Sequence, residues 1–176
     1  MRLFVGLDLP WELRERLDAL GHGVPGARWV PIENFHLTLR FIGEVSPPEA
    51  EEIDHALAAL RGKRFTLTLA GVGTFSKSGR TTSLWVGAER SPPLEHLQSK
   101  IEQTLQRVGL EPERRRFTPH VTLARLDNGA GGRLAAFVQA TNLFRAEMAV
   151  EHFTLFSSQL GKEASVYTAE VEYPLA

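Results

Sequence analysis

Two short segments carry residues suited to chemistry at phosphorus: Phe35-His36-Leu37-Thr38-Leu39-Arg40 and Pro119-His120-Val121-Thr122-Leu123-Ala124-Arg125. Each reads as a strand, in which side chains alternate between faces. The His and Thr of a segment therefore emerge together, and the intervening Leu or Val is an apolar anchor on the other side. Two such strands laid side by side would surround a small anion with two imidazoles and two hydroxyls. A neutral imidazole can take a proton from an attacking water or hydroxyl, and a protonated one can hand a proton to the leaving oxygen. An ordinary pKa near 6.5 lets both forms exist at neutral pH. The threonine hydroxyls can donate to non-bridging phosphate oxygens, where charge grows in the transition state. The expectation is hydrolysis or transesterification at phosphorus by His36 and His120, with Thr38 and Thr122 binding the phosphate and no metal or other cofactor. Two arginines are candidate substrate contacts. Strict alternation puts Arg40 on the His36 face and Arg125 on the face opposite His120, unless the strand bulges or ends there.

A third segment, Glu151-His152-Phe153-Thr154-Leu155, fits the same pattern, so counting matches does not select the pair. Context does: the first two segments have an arginine a few residues downstream, and each follows a helix-containing unit, as expected of duplicated halves. His22 lies in a Gly-His-Gly turn, and His55 and His96 sit beside the apolar stripes of their helices, so all three are expected at the surface. Arg114-Arg115-Arg116 is either a guide for a phosphate backbone or a solvated loop. A two-histidine metal site is disfavoured, because catalytic metals usually take three protein ligands and neither segment has a His-Glu-x-x-His or an adjacent acid. A non-catalytic RNA-end or nucleotide-binding module is the alternative from a different class.

The elements that must position these strands are legible. Residues 2–8 form a strand, and Pro10 opens a helix with Leu13, Leu17 and Leu20 on one face. Ser46-Pro47-Pro48-Glu49 supplies a cap, a first-turn proline and a capping box to a helix carrying Ile53, Leu57 and Leu60. Ser91-Pro92-Pro93 starts another, running through Leu94, Leu97, Ile101, Leu105 and Val108. Alternating runs at 65–69, 83–86, 151–156 and 166–171 are strands, giving an α+β arrangement. Gly71-Val72-Gly73 and Gly129-Ala130-Gly131-Gly132 are expected to mark turns, and neither carries the Lys-Ser/Thr of a phosphate-cradling loop.

A length of 176 residues with 43% hydrophobic content suits one domain, 1–176, of one or two lobes. A formal charge of −1 gives no overall pull on nucleic acid, so any RNA contact must be a local patch. The absence of cysteine removes disulfides, thiolate nucleophiles and cysteine metal sites, and it is compatible with a reducing compartment. The apolar start is too short for a signal peptide or a membrane span. A soluble, cytoplasmic, monomeric protein without membrane contact is the expectation.

The stretches Phe-His-Leu-Thr-Leu-Arg-Phe-Ile-Gly-Glu (35–44) and Phe-Thr-Pro-His-Val-Thr-Leu-Ala-Arg (117–125) resemble the paired HxTx motifs of the two-histidine (2H) phosphoesterases. Within that superfamily they are most similar to the RNA 2′,3′-cyclic phosphodiesterases, long labelled 2′-5′ RNA ligases. The likeness extends to Leu3-Phe4-Val5-Gly6-Leu7-Asp8, Gly79-Arg80 with residues 83–87, and residues 153–158 before Tyr167. The resemblance implies a bilobal, pseudo-symmetric fold in which two antiparallel sheets form a central cleft with helices outside. It also implies His36 as the acid that protonates the leaving 3′ oxygen, His120 as the base that activates water, and Thr38 and Thr122 as phosphate ligands. The implied substrate is RNA with a 2′,3′-cyclic phosphate end, tRNA fragments among the candidates, and the implied product is a 2′-phosphate. Small cyclic phosphates and 2′-5′ joining are the competing reactions. His152 has no counterpart in the family pattern.

Overall fold

The computed structural model describes residues 1–127 and 132–176. Strand β1 (Arg2–Asp8) buries Leu3, Val5 and Leu7, and a short helix α1 (Trp11–Asp18) follows with Leu13 and Leu17 inward. The helix stops before Leu20, which is only partly buried. Strand β2 (Ala27–Trp29) and a single 3₁₀ turn (Ile32–Asn34) lead into β3 (His36–Glu44), the first HxTx strand. Helix α2 (Pro47–Ala59) has the expected capping box. The Ser46 hydroxyl accepts from the Glu49 amide, and the Glu49 carboxylate accepts from the Ser46 amide, satisfying two donors that a helix start leaves open.

A hairpin of β4 (Phe65–Lys77) and β5 (Arg80–Ala88) precedes α3 (Pro92–Arg107), whose Leu94, Leu97, Ile101 and Leu105 are buried. Then come β6 (His120–Leu126), α4 (Gly132–Thr141), β7 (Arg145–Val150), β8 (His152–Leu160) and β9 (Ser165–Pro174). β2, α4 and β7 are elements for which sequence reasoning gave no signal. The glycines at 71 and 73 mark no turn but lie within β4, where the register with β5 slips between Leu69 and Val72. Gly71 takes φ +78 there, the left-handed conformation a bulge asks of glycine. Of the other expected turn, residues 129–131 lie outside the described residues and Gly132 begins α4.

The strands are ordered β7-β4-β5-β6-β3-β1-β8-β9, with β2 also on β6, and every pairing is antiparallel. The two expected sheets are its halves, β7-β4-β5-β6 and β3-β1-β8-β9. They join through one residue pair, Leu37 with Val121, where the HxTx strands meet. Leu37, Leu39, Val121 and Leu123 are at most 3% exposed and share one core with both halves. Helix α3 lies against β3 and β4, and α2 packs on α3 and β9, so this back face carries the helices. The front face of β3 and β6 is left for chemistry. No helix among the described residues is long and apolar enough to cross a membrane.

Candidate active site

The antiparallel junction at Leu37 and Val121 sets His36 across from Thr122 and Thr38 across from His120, all four on the front face. The two imidazoles are anchored alike, each through the carbonyl two residues upstream. His36 Nδ1 lies 2.7 Å from the Asn34 carbonyl oxygen, and His120 Nδ1 lies 2.6 Å from that of Thr118. A carbonyl only accepts, so each Nδ1 carries the proton and each Nε2 offers its lone pair. The Thr38 hydroxyl donates to His36 Nε2 at 2.9 Å. Aromatic rings flank both imidazoles. Phe4 and Tyr167 lie 4.8 and 5.1 Å from the His36 ring, and Phe75 meets His120 edge-on at 4.9 Å. Trp85 completes the second wall by lying across Gly73, where a Cβ would fall 2.4 Å from the indole.

The arginines change places relative to strict alternation. In β3 the register with β1 runs from Thr38 to Arg40, skipping Leu39; in β6 the register with β5 runs from Thr122 to Ala124, skipping Leu123. Each HxTx strand thus bulges one residue past its threonine, and the facing of the side chains that follow directly inverts. The exposure sequence along the first six residues is the same in both strands. Arg40, the expected front-face cation, therefore points backward and is 7% exposed. Its guanidinium holds Glu102 of α3 in a two-pronged pair (2.6 and 3.3 Å) and donates to the carbonyls of Phe41 and Glu111. Arg40 leaves the candidate site and becomes a tie between sheet and helix. Arg125 arrives instead, exposed on the His120 side, and its charge bears on both histidines. Phe41, at the equivalent place in the other half, stands 53% exposed with its ring 6.1 Å from Phe4.

Burial dominates the electrostatics. Desolvation lowers His36 to about 4 against the help of its Asn34 bond, and the charges of Arg14, His120 and Arg125 push the same way. His120 is lowered too, by burial first and then by Arg125, with the Thr118 bond opposing. Both imidazoles are accordingly neutral at pH 7 in the free protein.

One positioning group escaped sequence reasoning. Arg14 of α1 donates from Nε to the Leu9 carbonyl (2.8 Å) and from Nη1 to those of Ile32 (3.2 Å) and Glu33 (2.7 Å), gripping the turn that presents Asn34 to His36. Asn34 also donates to the Ser165 carbonyl at 2.7 Å, fastening this turn to β9. No pattern in the sequence marks Arg14, since its partners are backbone atoms. His152 opens β8, two strands from β3, where Nε2 contacts Asp8 at 2.8 Å. His22, His55 and His96 are exposed as expected, as is the run 114–116, whose Arg115 pairs with Glu113.

Twin HxTx strands meeting at a pseudo-symmetric junction define a paired-histidine phosphoesterase architecture. The family model described as the 2′-5′ RNA ligase superfamily matches residues 10–162, and the chain belongs to that superfamily. Its relatives include the RNA 2′,3′-cyclic phosphodiesterases of Thermotoga maritima, 30% identical over 95% of this chain and 91% of that one, and of Escherichia coli, 34% identical over 95% and 92%. The Aeropyrum pernix protein of the same name is 45% identical, though the match spans only 62% of either chain. Among solved structures, Escherichia coli LigT with 3′-AMP superposes with a TM-score of 0.80 at 29% identity, covering 99% of this chain and 97% of that one. The phosphate complex of LigT gives 0.75 at 28%, covering 99% and 96%.

Proposed function

We propose that this chain hydrolyses 2′,3′-cyclic phosphate ends of RNA to 2′-phosphate ends, without a metal, through His36 and His120. The observation that carries the reading is the matched pair of imidazoles on abutting strands, each with Nδ1 tied to a carbonyl so that Nε2 presents its lone pair, which at His36 accepts from Thr38. Relatives named RNA 2′,3′-cyclic phosphodiesterase along nearly the whole chain support it.

In the proposed reaction, His120 Nε2 takes a proton from water as its oxygen bonds to phosphorus. The P–O3′ bond breaks, and protonated His36 supplies the proton that makes the 3′-hydroxyl. Thr38, Thr122 and Arg125 hold the non-bridging oxygens, with the arginine facing the charge that develops there. The acid and base roles follow family resemblance. Burial alone would favour the reverse, since the more strongly depressed His36 is the harder of the two to protonate. A bound phosphodiester makes a protonated His36 accessible nonetheless, because its negative charge favours imidazolium and lifts both values. Phe41, exposed beside this pocket, is the ring best placed to stack on the terminal base. The substrates in this reading are cyclic-ended RNAs such as tRNA fragments, met by a monomer in the cytoplasm.

The test uses chelator-treated protein with a 2′,3′-cyclic nucleotide and with a cyclic-ended oligonucleotide, alongside His36→Ala and His120→Ala. Hydrolysis that survives EDTA and falls at least a hundredfold in each variant is expected. Failure to hydrolyse either substrate defeats the proposal and leaves a binding module. Preference for the mononucleotide would move the substrate class to small cyclic phosphates.

A further inference from the structure

The third His-x-Thr segment has its own surroundings. Asp8 ends β1, His152 opens β8 and Glu172 lies in β9, three neighbouring strands. His152 Nε2 is 2.8 Å from Asp8 Oδ1 and 3.8 Å from Glu172 Oε1, and the three donor atoms all lie within 4.8 Å of one another. A tetrahedral ion with bonds of about 2.0–2.2 Å spaces its ligand atoms roughly 3.3–3.6 Å apart. The observed separations bracket that spacing, and the exposed Glu172 side chain is free to close the gap. Thr154 adds an independent sign. It lies two residues along β8 from His152, on the same face and directly opposite Glu172 in the register. It is fully buried, and its hydroxyl has no hydrogen-bond partner among the described residues. A buried hydroxyl left open carries a desolvation cost, which a ligand or its bound water would relieve.

We propose that Asp8, His152 and Glu172 form a binding site for a divalent ion of the zinc class. One imidazole and two carboxylates match that class. Magnesium and calcium prefer all-oxygen shells, and cysteine-dependent sites are absent from this chain. The site leaves a coordination position for water or an anion, as three-ligand zinc sites do.

Its place in the sheet gives it a consequence. Asp8 is the register partner of His36, so the ion would sit about one to two strand spacings, roughly 5–10 Å, from that imidazole. A divalent charge at that distance alters the field at the reacting phosphate. Zinc therefore changes the rate of hydrolysis from outside the catalytic pair; this consequence rests on the proposed function, whereas the binding does not.

The experiment titrates chelator-treated full-length protein with Zn²⁺ by calorimetry at pH 7, using wild type, His152→Ala, Glu172→Gln, and the His36→Ala/His120→Ala double variant. One ion bound by wild type and by the double variant is expected, with at least tenfold weaker binding in His152→Ala and Glu172→Gln. Circular dichroism establishes that each variant is folded. Absence of binding, equal binding by His152→Ala, or loss in the double variant alone overturns the site. Hydrolysis of a 2′,3′-cyclic nucleotide is then read with and without Zn²⁺. A changed rate in wild type but not in His152→Ala supports the regulatory consequence, and equal response of the two overturns it. A protein that binds zinc at His152 yet hydrolyses nothing would refute the proposed function and leave the metal site standing.

Discussion

Replacing Arg40 with methionine separates a structural arginine from a substrate-binding one. The side chain is 6% exposed and its partner Glu102 is 16% exposed, with a closest approach of 2.6 Å. Removing the guanidinium strands the Glu102 carboxylate and deprives the Phe41 and Glu111 carbonyls of their donor. Breaking one partner out of such a buried pair costs about 3–5 kcal/mol. For a domain of this size each kcal/mol moves the unfolding midpoint by about 2–4 °C, so a fall of roughly 6–20 °C is expected. Thermal unfolding followed by circular dichroism measures it. Burial pushes the Glu102 carboxyl up, but hydrogen bonds from Arg40 and Gln106, the Arg40 charge and the Glu113 amide outweigh that and hold it below the usual range. The pair's contribution is therefore present at neutral pH and lost as acid protonates Glu102. Adding Glu102→Leu to Arg40→Met should recover a large part of the loss, because the lone buried charge is gone. Turnover per folded molecule, measured well below the new midpoint, should stay within about threefold of wild type. An Arg40→Met protein with an unchanged midpoint and collapsed turnover would refute the assignment and return Arg40 to the site.

The pH dependence follows from burial of the histidines. With His36 lowered to about 4 and His120 also lowered, the bell of kcat/KM, which reports the free protein, should lie below pH 6.5 with its acid limb near 4. The kcat profile should move to higher pH as bound phosphate favours imidazolium, and coincident profiles would contradict that account. Arg14→Ala should lower kcat about a hundredfold with little change in KM. It frees the turn behind His36, and a displacement of about 1 Å can cost that much. Arg14→Lys should rescue poorly, since one ammonium cannot span three carbonyls set by a planar fork. A lower unfolding midpoint with normal kcat in Arg14→Ala would reduce Arg14 to scaffold.

Local chemistry in the sequence determined a good part of this protein. Proline and serine at 46–48 and 91–93 set two helix starts, because capping depends on neighbours within one turn. Alternation in the HxTx segments put His36 with Thr38 and His120 with Thr122, because a strand repeats every two residues whatever lies beside it. Alternation also set the limit of that reading. A bulge is a mismatch between two strands, so no single strand announces it, and the register with β1 and β5 turned Arg40 inward and brought Arg125 out. The three histidine segments share one pattern as text, separated only by what flanks them. Sheet order alone set two of them edge to edge and put His152 two strands from β3. Which side chain faces the front of the sheet was decided by hydrogen bonding between chain segments far apart in sequence, and those contacts exist only once the sheet has closed.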